Sequence, residues 1–150
     1  MLVWRNGKEL PYDINKNENK YIVLFVSCDG LMLDKVSKRV RMEYPSIIDK
    51  IHKDIFNNKL SYCGCNYYEE NGQKFITINN ILSLVGASKD KPKDISEAFA
   101  MALYDLKIDK EKEFINMHFV SGLFEYNKES WWDMLEIIKL SGLNWEVYTD

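Results

Sequence analysis

Apolar positions along the chain follow two rhythms. Tyr21-Ile22-Val23-Leu24-Phe25-Val26 is an unbroken β-branched and aromatic run. A run of that length with no polar alternation predicts a central strand buried on both faces. Shorter strand-like runs lie at Leu2–Arg5, Phe114–Val120 and Trp145–Tyr148. Leu60–Tyr68 and Lys74–Ile78 read as two strands joined by Glu69-Glu70-Asn71-Gly72, where Asn-Gly signals a hairpin. Between these runs the spacing becomes helical. Val36 and Val40 mark a helix over Asp34–Glu43, which Pro45 ends. Ser46 is placed to cap a second helix carrying Ile47, Ile48, Ile51 and Ile55. Asp94-Ile95-Ser96-Glu97 is a capping box, opening a helix with Ile95, Ala98, Phe99, Ala102 and Leu106 on one face. Asn127 caps a last helix to Leu140, with Trp131, Met134, Leu135 and Ile138 inward and Gly142 as its stop.

Strands alternating with helices predict an α/β fold: a mixed central sheet covered on both faces, hence three layers, α/β/α. The chain has 150 residues, 46% hydrophobic and 29% charged. That length supports one domain over residues 1–150 with a proper core. In such sheets, ligands sit beyond the carboxyl ends of central strands. Two segments occupy such ends, Ser27–Asp34 and Ser121–Asn127.

Charge and cysteine content narrow the partners. The formal net charge is −3, with Lys and Arg spread among acids. A nucleic-acid surface needs a concentrated basic face, so this balance argues against one. Lys35, Lys38, Arg39 and Arg41 read as a solvated helix face. Cys63-Gly64-Cys65 is too tight for an ordinary disulfide, and neither Cys28 nor the two histidines, His52 and His118, complete a metal-ligand spacing. No metal and no cofactor are expected. No apolar run approaches the ~20 residues of a membrane span. A reduced, cytoplasmic setting is the expectation.

The two loops carry the chemistry. Ser121-Gly122 follows a strand and precedes a helix, where glycine admits close approach and backbone N–H groups bind an anion. Phe124 and Tyr126 are placed to wall off a ribose or base. In the other loop Gly30 is the single glycine. Asp29 can accept hydrogen bonds from ribose hydroxyls, while Asp34 reads as the N-cap of its helix.

Ser27-Cys28-Asp29-Gly30-Leu31-Met32, with a helix after it ending Arg41-Met42-Glu43-Tyr44-Pro45, resembles the first binding loop and helix of macrodomains. It is most similar to the branch of terminal ADP-ribose glycohydrolases and ADP-ribose-1''-phosphate phosphatases. Phe119-Val120-Ser121-Gly122-Leu123-Phe124-Glu125-Tyr126 resembles that family's phosphate-binding loop. Element order agrees over nearly the whole chain, including Ala87–Pro92 and Val147-Tyr148-Thr149. The resemblance implies an ADP-ribose-like nucleotide as ligand. Its contacts would be Ser27, Cys28, Asp29, Gly30 and Met32 on one side and Ser121, Gly122, Leu123, Phe124 and Tyr126 on the other. The chain also departs from the family. The family's Gly-x-Gly after Met is Leu33-Asp34-Lys35, and an adenine-binding Gly-Asp appears as Gly7-Lys8. The glycohydrolase lysine has no counterpart in Leu82-Ser83-Leu84-Val85. The catalytic aspartate position holds Phe124, with Glu125 next to it, and the water-positioning Asn is replaced by Ser27 or Cys28.

Three functions are compatible with this pattern. The first is a module that binds ADP-ribose or a related nucleotide. The second is a hydrolase of ADP-ribosyl links or of the 1''-phosphate, for which Glu125 and Asp29 are the candidate catalytic carboxylates and His118 reads as a structural strand residue. The third is a fold reused for contact with a protein partner or for sequestering a signalling nucleotide. Trp131-Trp132 motivates it, because adjacent helical positions cannot both face the core.

Overall fold

The Tyr21–Val26 run lies in the interior of a six-stranded sheet. The computed structural model describes residues 2–6, 20–27, 30, 35–81, 94–106, 108–109, 111–118 and 128–149. Along the chain these form β1 (Leu2–Asn6), β2 (Lys20–Ser27), α1 (Lys35–Glu43), α2 (Pro45–Phe56), β3 (Cys65–Glu70) and β4 (Gln73–Ile81). They continue as α3 (Asp94–Tyr104), β5 (Phe114–His118), α4 (Lys128–Leu140) and β6 (Asn144–Thr149). The spatial strand order is β1-β6-β5-β2-β4-β3. All neighbours pair in parallel except β3 with β4, so the sheet is mixed.

β2 shows why the sheet has two covered faces. Val23 and Phe25 pack with Phe99 and Ala102 of α3, Met134, Leu135 and Ile138 of α4, and Trp145 of β6. Ile22, Leu24 and Val26 pack on the opposite side with Val36 and Val40 of α1 and Ile47, Ile48 and Ile51 of α2. Alternate residues of one strand thus enter two separate cores. These are the three layers the patterning predicts.

The hairpin forms where Asn-Gly stands. Glu70 pairs with Gln73, leaving Asn71 (φ 50°) and Gly72 (φ 81°) as a two-residue loop with both φ angles positive. That is the type I′ pattern, which matches strand twist.

Three local expectations are corrected. The strand expected from Leu60 begins at Cys65, because Ser61–Gly64 folds into a turn closed by the Gly64 N–H on the Ser61 carbonyl at 3.0 Å. Cys63 there has φ 68° and bonds the Asn79 carbonyl, while the Asn79 N–H reaches the Gly64 carbonyl, which makes a bulge. Ser46 does not cap α2. Tyr44 holds the N-cap position without a side-chain cap and Pro45 opens the helix. Proline has no N–H to leave unpaired and its φ is already helical, so the residue that closes α1 also starts α2. α3 ends at Tyr104, so Leu106 lies beyond the helix, though it still packs on the core. Trp132 is exposed, at 62%.

The interior is not wholly apolar. Asn116 and Glu146, register partners on β5 and β6, are both buried. Lys20 answers the Glu146 carboxylate at 3.0 Å, and the Tyr148 hydroxyl donates to it at 3.3 Å. A buried charge needs such partners.

Two measurements check this packing. Phe99 is fully buried and touches the rings of Phe25 and Trp145. Phe99→Ala should lower unfolding free energy by about 3–5 kcal/mol in urea titrations. The Tyr21 phenol is pushed up from 10.0 to about 12, first by burial and then by the charge and hydrogen bond of Glu113. Its folded form keeps a proton that the unfolded chain releases above pH 10, so it favours folding below that pH and loses this contribution as pH rises through about 12. Alkaline unfolding curves of Tyr21→Phe should therefore fall less steeply over that window.

Candidate functional site

β2 and β5 lie side by side and parallel, yet the chain leaves them in opposite directions. After β2 it passes through α1 and α2, on one face, and reaches β4 by way of β3. After β5 it passes through α4, on the other face, and reaches β6 on the other side. Right-handed crossovers in opposite senses place the two helical layers this way. In open α/β sheets such a reversal, outside the carboxyl ends of the strands, is the position where ligands are held. Ser27 ends β2 and His118 ends β5, so the two segments singled out in the sequence leave the sheet from adjacent strands.

β4 is reshaped beside this edge. Phe25 pairs with Ile78 and Ser27 with Ile81, so Asn79 and Asn80 together oppose Val26. Such a bulge bends its strand and re-aims the residues after it. The Asn79 amide holds the deformed end, donating to the Ser61 carbonyl at 3.0 Å and to Asn66 Oδ1 at 3.1 Å.

The first loop starts with a defined turn. The Gly30 N–H donates to the Ser27 carbonyl at 2.9 Å. Gly30 has φ +82°, a left-handed conformation that suits glycine. Its carbonyl oxygen lies 3.1 Å from His52 Nε2. A carbonyl only accepts, so Nε2 carries the proton. Gly30, His52, Ile55 and the exposed Phe56 line an open cavity of about 330 Å³.

His52 is well held for this contact. Ile47, Ile48 and Ile51 bury the adjoining face of α2. The far end of the helix is tied to the sheet by the Tyr68 hydroxyl, which donates to Asp54 Oδ2 at 2.6 Å. Burial first, and then this bond to the carboxylate, push the Tyr68 phenol far up, so it stays a donor. In the sequence His52 enters only as a histidine without metal-ligand spacing, and the contact with Gly30 is not foreseen there. The one signal for it was a position one residue after Ile51, at the border of the apolar stripe of α2.

Of the candidate residues, the structure places Ser27, buried at the end of β2, and Gly30, in the turn after it. Cys28, Asp29, Met32, Ser121, Gly122, Leu123, Phe124, Glu125 and Tyr126 lie outside the described residues. Cys63 and Cys65 are not joined by a disulfide, and burial raises the Cys65 thiol above its usual value. Among the described residues no cluster of His, Cys, Asp or Glu has the makings of a metal centre, and no helix is long and apolar enough to cross a membrane.

This architecture is the macrodomain fold. It matches the macrodomain of Mycobacterium tuberculosis DarG with a TM-score of 0.72 at 12% identity, covering 99% of this chain and 97% of that one. A protein of unknown function from Bacteroides thetaiotaomicron matches with a TM-score of 0.72 at 14% identity, over 100% of this chain and 98% of the other. Thermosipho africanus DarTG, solved in complex with ADP-ribose, matches with a TM-score of 0.67 at 13% identity, over 89% of this chain and 39% of that protein. At these identities the likeness is one of fold. No family model matches the sequence, and no curated protein is similar to it in sequence.

The turn gives a direct prediction. Among the described residues, a Cβ on Gly30 would meet nothing nearer than His52 Cδ2 at 3.9 Å, so the cost of adding one there is backbone strain and not a clash. Gly30→Ala should lower unfolding free energy by about 1–2 kcal/mol. Unchanged stability would mean that the turn does not require the left-handed conformation.

Proposed function

We propose that the chain binds ADP-ribose, or a nucleotide of the same plan, in the crevice between β2 and β5. The observation that carries this reading is the coincidence of two facts. The sheet reverses its winding at these strands. The same fold is found in a protein solved in complex with ADP-ribose. The turn at Gly30, held from both sides, adds a backbone segment at the edge of that crevice.

In this reading the backbone N–H groups of Ser121, Gly122, Leu123 and Phe124 hold the phosphates. Phe124 and Tyr126 wall the ligand. Asp29 and Gly30 reach the distal ribose, where a carboxylate accepts hydroxyl protons. The binding unit takes in the whole 1–150 span as one domain.

Titration calorimetry and thermal denaturation with ADP-ribose, ADP and AMP test it. A ligand at a hundredfold excess over its Kd adds about 2.7 kcal/mol to stability, which raises Tm by several degrees. Gly122→Glu puts a side chain and a negative charge where the phosphates would sit, and should abolish that shift while the protein stays folded. No heat and no Tm shift with any of the three nucleotides would sink the reading.

A further inference from the structure

The contact between His52 and Gly30 joins two parts of the fold that are distant in sequence. It ties α2, a helix of the outer layer, to the turn that starts the first loop. Both peptide groups flanking the Gly30 Cα are held. Its N–H is bonded back to the end of β2, and its carbonyl is bonded to α2. A trans peptide is planar, with its N–H opposite its C=O. Holding the Gly30 carbonyl against His52 therefore fixes the plane of the peptide that follows Gly30. The helix that carries the histidine is itself anchored, packed by Ile47, Ile48 and Ile51 and tied to β3 through Asp54 and Tyr68.

We propose that His52 is a positioning residue for the nucleotide: its Nε2–H holds the Gly30 peptide so that the first loop presents its backbone to the distal ribose. The inference rests on the nucleotide reading above and goes beyond it in assigning a role to a residue outside both loops. His52 does not touch the ligand. It fixes the turn before the ligand arrives, so that ordering the turn is not a cost of binding.

The test compares His52→Leu, His52→Gln and His52→Asn with the unaltered chain, by calorimetry with ADP-ribose and with ADP, alongside Tm. Glutamine places an amide N–H near the reach of Nε2, and asparagine is too short. The loss of one such hydrogen bond predicts ADP-ribose binding weakened roughly three- to tenfold in the leucine and asparagine variants. Binding of ADP, which lacks the distal ribose, should stay the same, and glutamine should restore most of the lost affinity. ADP-ribose affinity unchanged in His52→Leu overturns the proposal, as does an equal loss for ADP and ADP-ribose. If the leucine variant does not fold, the glutamine and asparagine pair decides on the same criteria. Failure of the unaltered chain to bind ADP-ribose is a different result and removes the nucleotide reading itself.

Discussion

The whole arrangement depends on β2 having no solvent-facing side. Ile22, Leu24 and Val26 demand one apolar layer, and Val23 and Phe25 demand another. Fully burying one such side chain contributes about 1.5–3 kcal/mol. No arrangement that leaves one face of this strand open recovers that sum. Two helical layers are therefore required, and β2 must lie inside the sheet with a paired neighbour on each side. β4 and β5 fill those places. The strand on which the core depends is also the strand from which the first loop leaves.

Function is linked to this constraint through topology. An interior strand whose two neighbours are reached by connections on opposite faces creates a crevice at its carboxyl end. The ends of β2 and β5 lie side by side at this reversal, the bulge at Asn79 and Asn80 reshapes the neighbouring strand, and His52 secures the turn at Gly30. Each is a backbone device. Side chains of the core and of α2 act on the site by placing main-chain groups, which suits a ligand read mainly through phosphates and ribose hydroxyls.

The layered α/β plan was legible in the sequence because it is written in periodicity. The period-two and period-3.6 stretches are long and their stops are strong: Asn71-Gly72 for the hairpin, Pro45 between helices, Gly142 after α4. The errors fell where a local rule met a tertiary one. Leu60 to Gly64 is apolar enough to look like strand, yet the pairing of Cys63 and Gly64 with Asn79 folds it into a turned bulge. Ser46 has the chemistry of a cap, but Pro45 had already taken the first helical position. The site was half legible. Strand ends and glycines locate the loops. A contact such as His52 to Gly30 spans 22 residues and leaves no periodic trace. The buried polar pair of Asn116 and Glu146 was hidden for a similar reason, since its partner Lys20 comes from the far end of the chain.

In the proposed reading the carboxyl ends of β2 and β5 together form a seat for ADP-ribose. A crystal structure of the chain grown with ADP-ribose tests it most directly. The expected result is the diphosphate against the backbone of Ser121–Phe124 and the distal ribose beside Asp29 and Gly30, with His52 still bonded to the Gly30 carbonyl. ADP-ribose bound away from the ends of β2 and β5, or an empty crevice at saturating ligand, would contradict it.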